Sequence, residues 1–406
     1  MSVTLNKYKL GDLMDITRGA SLSGDYYATD GDLVRLTLGN FDYDNCGFKE
    51  NTSKDNIYYS GDVNECFILK EGDVITPLTE QTPGLLGTTA RIPESGKYIQ
   101  SQDIALIKCN HELLDKDYAY YLLPSKLVKE QLAARAQQTK IRHTSPDKIK
   151  DCTVFIPNIE EQKKIAAVLR SIDDKIAVNS TICRSLEQTA REVYNYYFNN
   201  SQISHDEWEV KKFGDIIESI NTGLNPRDHF TLADAGIRYI TVKNLVSSCR
   251  IDFSGCDYVD SNAAKMIRRR SNVEAGDILF ASIAPLGRCY LVQENPKTWE
   301  INESVFAIKP KSIIVSSEYV YHYLTSDWFK TKAELESAGS IFLGIRVGAL
   351  KELPIVIPDQ NTLKEYTTRV KACFSQLKIL TDEIEALMDN RDKLFPILMN
   401  GQCTIE

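Results

Sequence analysis

Residues 1–200 and 201–406 carry the same ordered pattern, and the two copies superpose at a shift near 201 positions. Tyr118-Ala119-Tyr120-Tyr121-Leu122 returns as Tyr319-Val320-Tyr321-His322-Tyr323, Ile149-Lys150 as Leu350-Lys351, and Phe155-Ile156-Pro157 as Val356-Ile357-Pro358. Earlier in each copy, Lys9-Leu10-Gly11-Asp12-Leu13 matches Lys212-Phe213-Gly214-Asp215-Ile216, and Gly72-Asp73-Val74-Ile75 matches Gly276-Asp277-Ile278-Leu279. So long a period excludes a solenoid, whose units run roughly 20–50 residues. It predicts a tandem of two modules related by a pseudo-two-fold axis, each a globular part followed by a helix. Such a chain presents two related surfaces and should recognise something that itself comes in two halves.

The helices carry the clearest local signal. After Pro157 a 4-3 alternation runs through Ile165, Leu169, Ile172, Ile176, Asn179, Cys183, Leu186, Ala190, Val193 and Tyr197. A shift of 201 gives Tyr366, Val370, Cys373, Leu377, Leu380, Ile384, Leu387, Arg391, Leu394 and Leu398. An apolar 4-3 stripe held over more than four heptads predicts a coiled-coil seam, the other reading being a long amphipathic helix packed on its own domain. Each stripe can serve as the other's partner, and a two-fold axis perpendicular to them predicts an antiparallel pair with globular parts at opposite ends. Asn179 faces an apolar position in the repeat and reads as a polar register-setter. Pro396 predicts a kink or stop in the last turn of the second helix, with Gly401 closing it. Asn199-Asn200-Ser201-Gln202 is the natural boundary between copies.

The remaining segments read as mixed α/β. Short β-rich runs lie between Gly, Asp and Asn turn signals, with helical patterns near 117–137 and 317–337, at a spacing too irregular for repeated βαβ units. The predicted class is α+β, with two mixed α/β domains, each followed by a long helix, and the helices paired antiparallel. The start of the chain has no apolar run of signal-peptide length, and no window approaches the ~18 apolar residues of a membrane span. Ten cysteines occur, none as Cys-x-x-Cys, which predicts reduced, mostly buried thiols of a cytoplasmic protein. The net charge of −8 provides no global field for nucleic acid, so any contact with DNA must come from local patches or a partner.

Taken in order, these elements resemble the specificity subunit of Type I restriction–modification systems, over essentially the whole chain. The resemblance rests on Lys9-Leu10-Gly11-Asp12, Trp208-x-x-x-Lys212-Phe213-Gly214-Asp215, and Gly276-Asp277-Ile278-Leu279 followed by Leu286-Gly287-Arg288. It rests also on Pro157-x-x-Glu160-Glu161-Gln162-x-x-Ile165 with Leu169-x-x-Ile172-Asp173, and Leu387-x-x-x-Arg391-x-x-Leu394. It implies target recognition domains at 1–157 and 201–357, and conserved spacer helices at 158–200 and 358–406. Each recognition domain would read one half of a bipartite site in double-stranded DNA. The paired helices would act as a ruler and as the docking surface for two methyltransferase subunits, with restriction subunits joining the full complex. No cofactor, metal or membrane is implied. The chain departs from the pattern where Pro358-Asp359-Gln360-Asn361 lacks Glu-Glu-Gln, and where Thr76–Thr89 is longer than its counterpart Phe280–Arg288.

Catalytic signatures are missing. Asn225-Pro226-Arg227 and Asn295-Pro296-Lys297 lack the second Pro and the aromatic of an amino-methyltransferase loop, no phosphate-cradling Gly-x-x-x-x-Gly-Lys-Ser/Thr occurs, and the five histidines have no metal spacing. The expectation is a non-catalytic chain. Its rival is a coiled-coil adaptor that never touches DNA. Candidate DNA contacts in the first copy are Arg35, Thr37, Asn40, Lys140, Arg142 and His143. In the second they are Thr241, Lys243, Asn244, Arg268, Arg269, Arg270 and Arg288. Basic side chains fix register on phosphates, while Arg, Asn and Thr can read base edges. Solvated charge remains the other reading of the basic runs, and loop capping that of Thr37/Asn40 and Thr241/Asn244. Helix pairing is expected from Ile165, Leu169, Ile172, Ile176, Leu186 and Val193 against Val370, Leu377, Leu380, Ile384, Leu387 and Leu394.

Overall fold

The computed structural model describes residues 4–43, 47–82, 84–135, 142–199, 208–246, 250–253, 255–337 and 344–405. The chain forms two compact units, one of residues 1–175 with 387–406 and the other of 176–386.

In the first unit an antiparallel sheet runs in the order Ala90–Arg91, Val74–Pro77, Ile104–Cys109, Met14–Arg18. Its central strands are apolar on both faces because both are covered. Val74, Ala105 and Ile107 enter a core with Tyr118, Leu122, Val128 and Ile165, while Ile75, Ile104 and Leu106 enter a second core with Val34, Leu36 and Phe41. Alternation along a strand thus feeds two cores, and each fully buried Leu, Ile or Phe contributes about 1.5–3 kcal/mol. A smaller sheet of Tyr98–Ile99, Val34–Arg35, Tyr58–Tyr59 and Tyr27–Ala28 closes the second core. Asn6–Lys9 pairs with Thr153–Ile156 as a ribbon.

The second unit repeats this plan. Ile217–Thr222, Val305–Pro310, Ile278–Ala281 and Cys289–Leu291 form its sheet, Asp257–Val259, Ile237–Ile240 and Trp299–Ile301 the smaller one, and Glu209–Lys212 with Pro354–Ile357 the ribbon. Registers agree across the centre of the sheets: Ile16, Ile107 and Val74 align across the first sheet as Ile220, Ile308 and Ile278 do across the second, where a bulge between Ile217 and Ser219 shifts only the strand's start. Gly19 and Gly223 are equivalent glycines at a close backbone crossing, where a Cβ would lie 2.2 Å from the Gln100 carbonyl oxygen and 1.7 Å from that of Ile301. The offset between equivalents falls from 204 at Gly72/Gly276 to 201 at Ile107/Ile308, so the first copy is three residues longer between those points.

The two long helices are Ile159–Phe198 and Gln360–Met399, 40 residues each. Asn158 accepts from the Glu161 N–H, and Asp359 from those of Asn361 and Thr362, capping the two N-termini. Gln162 is the residue behind the Glu-Glu-Gln signal: its buried amide donates to the Leu113 and Pro157 carbonyls and accepts from the Asp115 N–H. In the second copy Leu363 takes its place and Gln360 donates to the Ile314 carbonyl, the repeat equivalent of Leu113. Pro396 lies inside the second helix, which runs on to Met399. Gly401 (φ +64°) then ends it, with Gly401 N–H donating to Leu398 and Gln402 N–H to Ile397.

Within each unit the helix segments run antiparallel. In the first unit Asp173 pairs with Arg391 at 3.2 Å and Lys164 donates to the Ile405 carbonyl; in the second Asn179 meets Glu383 and Tyr197 meets Glu365. Ile165, Leu169, Val370, Leu377 and Ile384 are buried, and Ile172, Ile176, Leu186, Val193, Leu380 and Leu387 half-buried. Leu394, expected in the seam, is instead 36% exposed. Phe395, Leu398 and Met399 face the core in its stead. An α-helix turns once in 3.6 residues, so a strict seven-residue stripe drifts by about 20° per heptad. The core-facing position moves from 394 to the half-buried Phe395, as it does from Val193 to the buried Tyr194 in the other copy. No helix among the described residues is long and apolar enough to cross a membrane.

Candidate nucleic-acid interface

In the first unit a run of basic residues flanks Arg142–His143, a short strand paired with Thr79–Glu80. Arg142 lies 3.2 Å from Glu80 and donates to the Ala133 carbonyl; His143 beside it is exposed. Other cations there are internally matched. Arg135 pairs with Asp151 and Lys150 with Asp15, and these partners hold the Asp151 and Asp15 carboxyls below their ordinary range, Lys9 being the largest influence on Asp151 and Lys150 on Asp15. Lys140 and the Asn200-Ser201-Gln202 boundary lie outside the described residues.

Three of the expected contacts in this unit are held by partners inside the fold. Arg35 is 8% exposed, stacks 3.8 Å over the Tyr27 ring and donates to the Asn56 carbonyl, because a guanidinium on a core strand must find its partners inside. Asn40 is buried, accepting from the Thr37 N–H at 2.9 Å and donating to the Lys49 carbonyl. Thr37 caps the same turn through Gly39 N–H. Thr241 and Asn244 repeat this turn: Asn244 accepts from the Thr241 N–H at 2.9 Å and donates to the Asp252 carbonyl. Of the two readings open for these pairs, loop capping is the one their hydrogen bonds satisfy.

The second unit has a different basic element. Ser261–Ser271 is an amphipathic helix, capped by Asp260 and buried through Ala263, Ala264 and Ile267. Its exposed face carries Lys265, Arg269 and Arg270, and the cations of its last turn complement the helix dipole. Arg268 departs from the group: its Nε donates at 2.7 Å to Glu300, a buried carboxylate. Burial pushes the Glu300 carboxyl above its ordinary range even with Arg268 alongside. Lys243 is exposed with Asp257 at 3.6 Å, and Arg288 is exposed while donating to the Leu245 carbonyl. No group of His, Cys, Asp and Glu able to hold a metal occurs among the described residues.

The sequence reading missed Glu80 and Glu300. Glu300 stands between Trp299 and Ile301 in a β-rich run, and a lone charge among large apolar strand residues is a signal that a partner is needed. Glu80 sits among Thr, Gln and Gly, where nothing local distinguishes it from a solvated loop residue.

Comparison with known proteins bears on both units. The family model of the Type I restriction modification DNA specificity domain matches residues 2–188 and again 205–388. The specificity subunit of the Type I restriction enzyme MjaIX of Methanocaldococcus jannaschii is 25% identical over 345 residues, covering 80% of this chain and 78% of its own. That of MjaVIII, from the same organism, is 20% identical over 330 residues, covering 76% and 75%. The crystal structure of the Type I restriction–modification S subunit from M. genitalium superposes with a TM-score of 0.61 at 16% identity, over 98% of this chain and 96% of that one, a likeness of fold.

Proposed function

The chain belongs to the DNA specificity subunits of Type I restriction–modification systems, and we propose that it selects a bipartite, asymmetric target in double-stranded DNA. In this reading residues 1–157 and 201–357 are target recognition domains and 158–200 and 358–406 spacer helices. Two methyltransferase subunits dock on the helices, and restriction subunits join the complete assembly. The chain itself is non-catalytic, since its sequence lacks the amino-methyltransferase loop and the phosphate-cradling loop.

One observation carries the reading. Two copies of one scaffold agree in strand register yet differ in the elements that present polar and basic groups: a longer stretch after Thr76 in the first, the helix Ser261–Ser271 in the second. A shared scaffold with unlike recognition elements suits an asymmetric pair of half-sites. The net charge of −8 fits as well, because partners can supply much of the phosphate-binding charge. The adaptor reading is disfavoured by the match of both copies to a DNA specificity domain.

The test is to co-express the chain with its methyltransferase subunit and map methylated bases by single-molecule sequencing. The expected motif is two short, unlike half-sites around a fixed spacer. Exchanging residues 1–157 for those of a relative should alter one half only. A continuous motif, or a change in both halves, would refute the reading.

A further inference from the structure

Glu80 and Glu300 are each 1% exposed, and each is paired with an arginine of a basic stretch. Burying a carboxylate costs several kcal/mol unless partners replace its water. Two such pairs in one chain therefore call for a role, and repeat symmetry does not supply one. The strand partners of Glu300 identify its repeat equivalent as Ile99, a fully buried apolar residue. Each pair instead fastens to the common scaffold an element in which its copy departs from the other.

In the first unit Glu80 opens the stretch that is longer than its counterpart. Its Oε2 accepts the Leu85 N–H at 2.8 Å and the Leu86 N–H at 2.9 Å, drawing the turn back on itself. Its Oε1 faces Arg142 at 3.2 Å, tying the turn to the strand that carries the exposed His143. Gly87 seals the base of the turn, since a Cβ there would stand 2.9 Å from the Leu123 carbonyl oxygen. Gln81 and Thr82 are left exposed on an anchored backbone. In the second unit Glu300 holds Arg268 in the last turn of Ser261–Ser271, and Arg269 and Arg270 remain exposed. Tyr58 pairs with Val34 as Tyr258 pairs with Arg238, and the stretch that follows this strand in the first copy, residues 60–71, contains no α-helix.

Discrimination between base pairs requires side chains held to within a fraction of an ångström, by groups that are themselves immobilised. Charge-assisted hydrogen bonds and ion pairs to a buried carboxylate do this, and Gln, Thr and Arg are side chains that read base edges or bind phosphate. We propose that Glu80 and Glu300 are positioning residues for target reading: each locks the divergent element of its own unit, so that Gln81 and Thr82 in one, and Arg269 and Arg270 in the other, meet the DNA of unlike half-sites. The proposal rests on the DNA-reading function above.

The test uses the assembled methyltransferase complex carrying Glu80→Gln, Glu300→Gln or the exposed double substitution Gln81→Ala/Thr82→Ala. Methylated motifs are mapped and melting temperatures recorded. Glu80→Gln and the double substitution should each lower discrimination in the same half-site by about tenfold, the loss of one good base contact. Glu300→Gln should relax the other half. Unchanged discrimination in every variant of a complex with a bipartite wild-type motif overturns this inference alone. So does an equal loss at both halves with a lowered melting temperature, which marks a merely structural role. A wild-type motif that is not bipartite removes the reading beneath it.

Discussion

Asn179, 5% exposed in the seam between the long helices, donates its Nδ2–H to Glu383 Oε2 at 2.9 Å. A polar residue in an apolar seam satisfies its hydrogen bonds in one register only, which is how a single buried Asn specifies alignment. Asn179→Ala leaves this bond unmade and should lower stability by about 1–2 kcal/mol. Asn179→Leu should recover that loss while admitting slipped pairings. Chemical denaturation with a cysteine cross-link across the seam reads both effects, and an unaltered midpoint for the alanine variant would show that the contact does not set the register.

The basic helix allows its three arginines to be separated. Arg268, Arg269 and Arg270 are all exposed, but Arg268 is also engaged by Glu300. Replacing Arg269 and Arg270 with Ala should reduce the log–log salt slope of DNA binding by the assembled complex by about two units, one per lost phosphate contact. Arg268→Ala should instead lower the melting temperature, because it strands a buried carboxylate. Salt titrations that superpose on wild type would return Arg269 and Arg270 to solvated surface.

Asp277 provides a pH signature. Burial pushes its carboxyl up to about 6, although it accepts the Glu274 N–H. With the folded value above the ordinary 3.8, the folded state holds this proton more tightly than the unfolded chain. The contribution is therefore fully present below about pH 4 and is lost as pH rises to about 6, a change of up to roughly 3 kcal/mol. Asp277→Asn keeps an acceptor for Glu274 and removes the ionisation, so it should raise the melting temperature at pH 7 and flatten its fall across that window. Parallel pH profiles for the two proteins would place the titration elsewhere.

Much of the fold was legible because duplication made each weak signal count twice. The tyrosines at 118–121 and 319–323 fall at helical spacing and are core, and Asn179 announced itself by facing an apolar equivalent. What was not legible depends on contacts between distant residues. Arg35 sits in a strand whose burial is set by Tyr27 and Asn56, neither of which marks it in sequence. Leu394 keeps the seven-residue count, but the helix does not, and the half-buried Phe395 takes the core-facing side. Glu80 acquires its meaning only when Arg142 and the Leu85 and Leu86 amides close around it.

The helices set the last prediction. Each runs 40 residues, about 60 Å at ~1.5 Å per residue. If their length fixes the distance between half-sites, one heptad added to both, at matching repeat positions such as after Leu186 and Leu387, adds about 10 Å of helix. DNA rises about 3.4 Å per base pair, so the matching change is about three base pairs of spacer. Three base pairs also rotate one half-site by roughly a third of a turn, given about 10–10.5 pairs per turn, while a heptad rotates the helix by only about 20°. The expected result is a spacer lengthened by about three base pairs with weakened methylation, or loss of methylation where the DNA cannot twist to compensate. Neither half-site should change in sequence, because neither recognition segment is touched. Methylated motifs from the inserted variant distinguish these outcomes, and a variable or unchanged spacer at full methylation would sink the idea that the helices measure the target.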